Sequence, residues 1–178
     1  DHEIHYRVVS KILPPSHRHH LKGRRTFHVD SRYRDTGHVS ATIQRVAREV
    51  AAASGTSDTY ERVAFIQGWF TEREDGGDFQ YTRFNRNTGP DPIATFLVDT
   101  RAGHCAFFAS AMVLMLRSLD IPARLAVGFR GGTWSDRAGA FRVLQKDAHA
   151  WVEVPFEGAG WIPFDPTPPE STLDLATT

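Results

Sequence analysis

Cysteine is nearly absent: the 178 residues hold one, Cys105. An internal disulfide is excluded, and with it any fold that depends on disulfide staples. Net charge is absent as well, because 21 Lys and Arg balance 21 Asp and Glu. That balance gives no global electrostatic case for nucleic-acid binding. No apolar run approaches a membrane span, no signal peptide is legible, and no internal repeat is found. The chain begins at Asp1, close to what reads as a strand over Ile4 to Ser10. We therefore expect an excised soluble segment of a longer protein.

What is present is ordinary globular material. Hydrophobic residues make up 40% and charged residues 24% of the chain, enough apolar content for one domain with a sizeable core. The charge is uneven: residues 1–50 carry ten Lys or Arg against five Asp or Glu, and neither Lys nor Arg follows Lys146. A solvated basic surface near the start is the simplest reading of that excess.

The pattern of the chain centres on Arg101-Ala-Gly-His-Cys105, followed by Phe108, Met112, Met115, Leu116 and Leu119 at helical spacing. This reads as a loop, a cysteine, and a helix pointing into a core. A cysteine at a helix N-terminus faces unpaired N–H groups and the positive end of the helix dipole, both of which favour the nucleophilic thiolate. Upstream, Pro14-Pro15 ends a strand over 4–12, and 16–25 reads as a polar loop. His17, His19 and His20 lie there without a neighbouring carboxylate or cysteine, so a surface loop is preferred to a metal site. A short extended piece is expected over 26–33. Helices are expected over 39–53 and from 58 to 70, the second capped by Asp58 or Ser57. Glu74 to Asp78 breaks that helix, and Phe79 to Thr82 is extended. Asp91-Pro92 opens a short helix ending at Val98. The central helix ends near Asp120, ahead of Pro122. Strands follow at 124–129, 141–145, 148–154 and 161–165. Helices first and antiparallel strands after is the order of an α+β domain.

A nucleophilic cysteine needs a base and a group to orient it. In His149-Ala-Trp151-Val-Glu153 the alternation puts His149, Trp151 and Glu153 on one face. If Glu153 pairs with Trp161, His149 falls opposite Asp165, at a Cβ separation of about 4.5–5.5 Å. Pro163 then requires an edge strand or a bulge. Cys105, His149 and Asp165 become a nucleophile, an acid/base and an orienting carboxylate. A three-ligand zinc site from the same residues is chemically conceivable but is not the preferred reading.

These residues also carry a resemblance. Arg-Ala-Gly-His-Cys105-Ala-Phe-Phe-Ala-Ser-Ala with Leu-Asp-Ile-Pro-Ala-Arg124 resembles the cysteine helix of the transglutaminase-like superfamily. Asp-Ala-His149-Ala-Trp-Val-Glu-Val resembles its histidine strand, and Gly-Trp-Ile-Pro-Phe-Asp165-Pro-Thr its aspartate strand. Asp91-Pro-Ile-Ala-Thr-Phe-Leu97 belongs to the same pattern. The likeness is specific over about residues 79–168, weaker over the helices at 39–73, and absent at 10–35. It is nearest to a bacterial branch in which the domain is an extracytoplasmic part of a multi-pass membrane protein.

The resemblance implies a papain-like α+β core, with a cysteine-bearing helix packed on an antiparallel sheet. It implies acyl transfer through a Cys105 thioester, onto an amine as in protein-glutamine gamma-glutamyltransferases, or onto water as in peptidases and amidases. It implies a protein or peptide substrate, no cofactor, and a membrane-anchored parent. The expected divisions are an extension at 1–36, a catalytic domain at 37–168 and a flexible tail at 169–178. His104 stands where an aromatic is common in this branch. Trp151 and Trp161 read as core or gorge walls, Trp134 as a substrate-side loop residue or an exposed aromatic. Tyr81 is a candidate helper of an oxyanion hole whose main donor is the Cys105 backbone N–H. A non-catalytic interaction module on the same fold is the alternative from another class.

Overall fold

The computed structural model describes residues 14–72, 79–84 and 87–169. The expected strand at 4–12, the break at 74–78 and all but the first residue of the expected tail lie outside the described residues.

Each helix begins where its capping chemistry dictates. Helix α1, Ala41–Ala53, starts after Ser40, whose side chain accepts from the Ile43 N–H. Helix α2, Thr59–Thr71, starts after Asp58, which accepts from the Glu61 N–H at 2.9 Å. Helix α1 buries the face that periodicity predicts, Ile43, Val46, Ala47 and Val50. Of the face predicted for α2, Val63, Ile66 and Phe70 are buried, while Phe65 and Trp69 are partly buried at its edge. Strand β1 is Gln80–Tyr81. Helix α3 is a single turn, Pro92–Thr95, with Asp91 accepting from the Ala94 N–H at 3.0 Å. The expected continuation to Val98 instead widens into a π turn, Phe96–Thr100. That turn closes with the Arg101 N–H on the Phe96 carbonyl at 3.0 Å.

Strand β2, Ala102–Gly103, leads into helix α4, Cys105–Ser118. Phe108, Met112, Met115 and Leu116 are fully buried. Phe108 belongs to an aromatic nest with Phe70, Phe79 and Phe96, in which the Phe96 and Phe108 rings meet edge to face at 4.8 Å. Each such buried ring contributes about 1.5–3 kcal/mol. Asp120, in the left-handed region at φ 58°, turns the chain out of α4. Arg117 closes this end of the helix, donating from Nε and Nη2 to the Ala123 carbonyl at 3.0 and 2.9 Å. Burial pushes its guanidinium below its ordinary pKa.

The main sheet is three-stranded and antiparallel. Its strands are β3, Arg124–Phe129, β6, Ala148–Phe156, and β7, Gly160–Phe164, in the order β3-β6-β7. Helix α4 packs against β6, and Ala150, Val152 and Val154 join the core that α4 fills. Pro163 is accommodated because β7 is an edge strand of this sheet.

Three expectations require correction. The strand at 141–145 is not part of this sheet. It forms a separate hairpin, β4, Thr133–Ser135, with β5, Ala140–Arg142. Gly131 and Gly132, both at positive φ, turn the chain away before it, and Phe141 stays 67% exposed. The polar stretch at 16–25 holds a 3-10 turn, Pro15–Leu21, that seats Leu21 in the core. Residues 26–33 form no strand. Phe27 and Tyr33 instead pack edge-on against Trp161, at centroid distances of 6.1 and 5.0 Å.

Candidate active site

Cys105 is the first residue of α4, with His104 as its N-cap. The loop that delivers it is fixed largely by backbone. Gln80 N–H donates to the Arg101 carbonyl at 2.8 Å, and Thr82 N–H to the Gly103 carbonyl at 2.9 Å. These bonds belong to a short parallel ladder between β1 and β2 that sets Tyr81 beside Gly103. Asn87, buried, donates to the Ala102 carbonyl at 2.8 Å and bonds the Thr100 hydroxyl. Arg101 occupies the left-handed region at φ 48°, and its guanidinium lies over the Phe79 ring. Gly103 sits close to the start of α4: an added Cβ would stand 3.0 Å from Phe107 Cβ, a tight contact. The Cys105 side chain is partly buried and packs against the core.

His149 and Asp165 meet, though not by the predicted route. The β6–β7 register pairs Glu153 with Pro163 and Pro155 with Trp161. It is offset by two residues from the assumed Glu153–Trp161 pairing. Asp165 follows the end of β7 and reaches His149 from a diagonal position. His149 Nε2 and Asp165 Oδ2 are 2.8 Å apart. An ionised carboxylate only accepts, so Nε2 carries the hydrogen and Nδ1 is left as the acceptor nitrogen. Asp165 is held in turn by the Thr167 N–H on Oδ1 at 3.1 Å and by Arg130 Nη1 on Oδ2 at 2.5 Å. Trp151 stacks beside the imidazole, with an interplanar angle of 18°. Its ring lies close over position 128, where an added Cβ would stand 3.0 Å from Trp151 Cη2. The Trp151 Nε1–H points to Glu153 Oε1 at 3.3 Å, and Glu153 is paired to Arg124 at 2.7 Å. His149, Trp151 and Glu153 thus share a face, as alternation predicts.

Two clefts flank the imidazole. One, of about 340 Å³, is bordered by Arg18, Gln67, Phe129, Arg130, His149, Trp151, Pro163 and Asp165. The other, of about 500 Å³, includes Tyr81, Arg83, Arg130, Lys146, His149 and Thr167. Tyr81 therefore links the His149 cleft to the Cys105 loop, through its ladder partner Gly103. In the resting geometry the Cys105 thiol makes no hydrogen bond to His149, and such contacts commonly tighten only around substrate. His104 packs edge-on against Phe107 at 5.0 Å. Trp134 is half exposed on the β4–β5 hairpin, packs edge-on against Phe141, donates to Asp136, and borders neither cleft. Among the described residues no cluster of three His, Cys, Asp or Glu is arranged to hold a metal ion.

Sequence reasoning missed Arg130, Arg18 and Asn87. Nothing local marks them, since an arginine at a strand end or an asparagine in a loop is ordinarily solvated. Only the packing of distant segments puts them at the site.

Comparison with known proteins bears on this geometry. The family model of the transglutaminase-like superfamily matches residues 44–166. A protein-glutamine gamma-glutamyltransferase of Pseudomonas aeruginosa is 45% identical over 89 residues, which are 50% of this chain and 13% of that protein. The uncharacterized protein YebA of Bacillus subtilis is 41% identical over 81 residues, 43% of this chain and 11% of that protein. The crystal structure of the periplasmic domain of TgpA from Pseudomonas aeruginosa superposes with a TM-score of 0.66 at 34% identity. The superposition covers 78% of this chain and 48% of that one. A provisionally assigned cysteine protease of Cytophaga hutchinsonii shares the fold at a TM-score of 0.55 and 23% identity, over 78% of this chain and 43% of that one. The chain thus spans about half, or much less, of the length of the proteins it matches.

Proposed function

Because the chain belongs to the transglutaminase-like superfamily, we propose that it is a cysteine acyltransferase acting on glutamine side chains of a protein substrate. Cys105 is its nucleophile, His149 its acid/base and Asp165 its orienting carboxylate. The observation that carries this reading is the 2.8 Å hydrogen bond between His149 and Asp165. It ties the start of β6 to the residue that follows β7, and it leaves Nδ1 of the imidazole as the acceptor for a thiol proton.

The chemistry follows from those atoms. His149 Nδ1 takes the Cys105 proton, and the thiolate attacks the side-chain amide carbon of glutamine. Negative charge develops on the amide oxygen, where the Cys105 backbone N–H at the start of α4 donates, with the helix dipole behind it. Tyr81, on the cleft wall beside the cysteine loop, is the second candidate donor. The imidazolium then returns its proton to the nitrogen, the C–N bond breaks, and ammonia leaves a Cys105 thioester. An amine attacking the thioester gives its proton to His149, the C–S bond breaks, and the thiol is restored. Asp165 holds the imidazole orientation through both halves. No step calls for a cofactor. Trp151 walls the approach to the imidazole, and His104 caps α4 next to the thiol. The functional unit covers residues 37–168.

Among the described residues no helix is long and apolar enough to cross a membrane. The likeness to a periplasmic domain supports an extracytoplasmic site of action in a larger, membrane-anchored protein.

The test is incorporation of a fluorescent primary amine into a glutamine-bearing protein, with ammonia release measured in parallel. Wild type is expected to do both, and Cys105→Ala neither. Ammonia release without amine incorporation would replace the transferase by an amidase. Absence of both, with a thiol that alkylates only above neutral pH and ignores His149→Ala, would make the domain an interaction module.

A further inference from the structure

The side chains that flank His149 are cationic beyond what the acyl-transfer chemistry uses. Arg130 stands between the two clefts and borders both. Its backbone is fixed there by its N–H on the Asp147 carbonyl at 2.8 Å. Arg18 joins it in one cleft, and Arg83 and Lys146 in the other. The carboxylates among the described lining residues are Asp147 and Asp165. Both are engaged: Asp147 accepts from the Leu144 N–H at 2.8 Å, and Asp165 from His149, Arg130 and Thr167. Lys146 is exposed on a 3-10 turn, Gln145–Asp147, at the cleft edge.

We infer that these clefts receive an acidic peptide segment: an acyl donor whose reactive glutamine is flanked by Asp or Glu. Arg130 is the cation shared by the two sides. This rests on the acyl-transfer reading for the identity of the reacting amide, but the charge recognition stands on the lining residues alone. The Arg130 side chain is 68% exposed while bonded to the same Asp165 oxygen as His149, so its remaining N–H groups can donate to a substrate carboxylate without first being uncovered. Long-range attraction by the rim cations speeds encounter and is weakened by salt.

The experiment separates the two ideas. Two labelled peptides, one with glutamic acids on both sides of a single glutamine and one with serines, are titrated into the Cys105→Ser chain by fluorescence anisotropy. The expected result at about 20 mM NaCl is affinity for the acidic peptide about tenfold higher, shrinking severalfold at about 200 mM. Lys146→Glu is expected to remove most of that preference, and Arg83→Gln part of it. Neither change should alter binding of the serine peptide. Equal affinity for the two peptides, or a preference untouched by both substitutions, would overturn the inference. Amine incorporation by wild type is then measured on the same peptides. Transfer to both at equal kcat/KM would refute the charge preference and leave the acyltransferase standing. Charge-selective binding without transfer to either would leave the preference standing and refute the acyltransferase.

Discussion

The loop that delivers Cys105 is braced chiefly by main-chain groups. Gln80 and Thr82 donate to carbonyls on either side of Ala102, a buried asparagine satisfies Ala102 itself, and Phe108 of α4 packs among the Phe70, Phe79 and Phe96 rings behind it. The imidazole of His149 is placed differently. Its strand is rigid, but the ring is aimed by side chains: a carboxylate at 2.8 Å, a stacked tryptophan, and an arginine sharing that carboxylate. One half of the site is thus steric and apolar, the other ionic and partly open to solvent. The first half should respond to changes of volume and backbone. The second should respond to charge, salt and pH.

The largest expected effect removes the ionic half outright. His149→Ala should cost about a thousandfold or more in amine incorporation, with little change in melting temperature, since the side chain lies outside the aromatic nest. A large loss of folding stability in this variant would mean that the two halves are not separable. Phe108→Ala tests the steric half. It should destabilise by about 3–5 kcal/mol in urea unfolding, because the surrounding Phe70, Phe79 and Phe96 rings leave it a rigid cavity. Gly103→Ala is the sharper probe. The new Cβ crowds Phe107 at 3.0 Å, and even a small displacement of the loop misplaces the thiol, since a shift of about 1 Å is worth about a hundredfold in rate. Activity should fall far more than stability. Equal losses in the two would place Gly103 in the general fold rather than in the delivery of Cys105.

The smallest effect lies away from both halves. Hydrogen bonds from Lys22 and Thr56 hold the Glu61 carboxyl below its ordinary pKa, and Glu61 raises Lys22 in return. A carboxylate with a depressed folded pKa adds stability above its unfolded pKa, and this is lost as pH falls through the folded value. Glu61→Gln should therefore melt slightly below wild type at neutral pH, and the gap should close in acid. The pair is at the surface, so raised salt should narrow the gap as well. A gap that persists at low pH would assign the effect to the Thr56 hydrogen bond or to packing.

How much of this was legible beforehand differs by element. Asp58, Asp91 and the apolar face of α4 announced their helices, because caps and 3.6-residue periodicity are local properties. His149, Trp151 and Glu153 announced a shared face for the same kind of reason, the alternation of a strand. The π turn at Phe96–Thr100 did not, since nothing in that run distinguishes an i→i+5 bond from the α-helical one. The apolar residues at 141–145 read as a core strand, yet the glycine pair before them takes the segment out of the sheet.

The sequence by itself determined the family, the order of helices and strands, and the three residues proposed for the chemistry. Each is written in short motifs whose meaning depends on neighbours a few positions away. Only the tertiary structure decided the β6–β7 register, two residues from the assumed one, and hence that Asp165 meets His149 through Nε2 on a diagonal. It also decided that Arg130, Arg18, Arg83 and Lys146 gather around the imidazole. The hairpin register depends on the geometry of the short turn between Phe156 and Gly160, which the alternation of the strands does not encode. The company of charges is set by the packing of segments tens of residues apart, where the free energy comes from surfaces that no local motif describes.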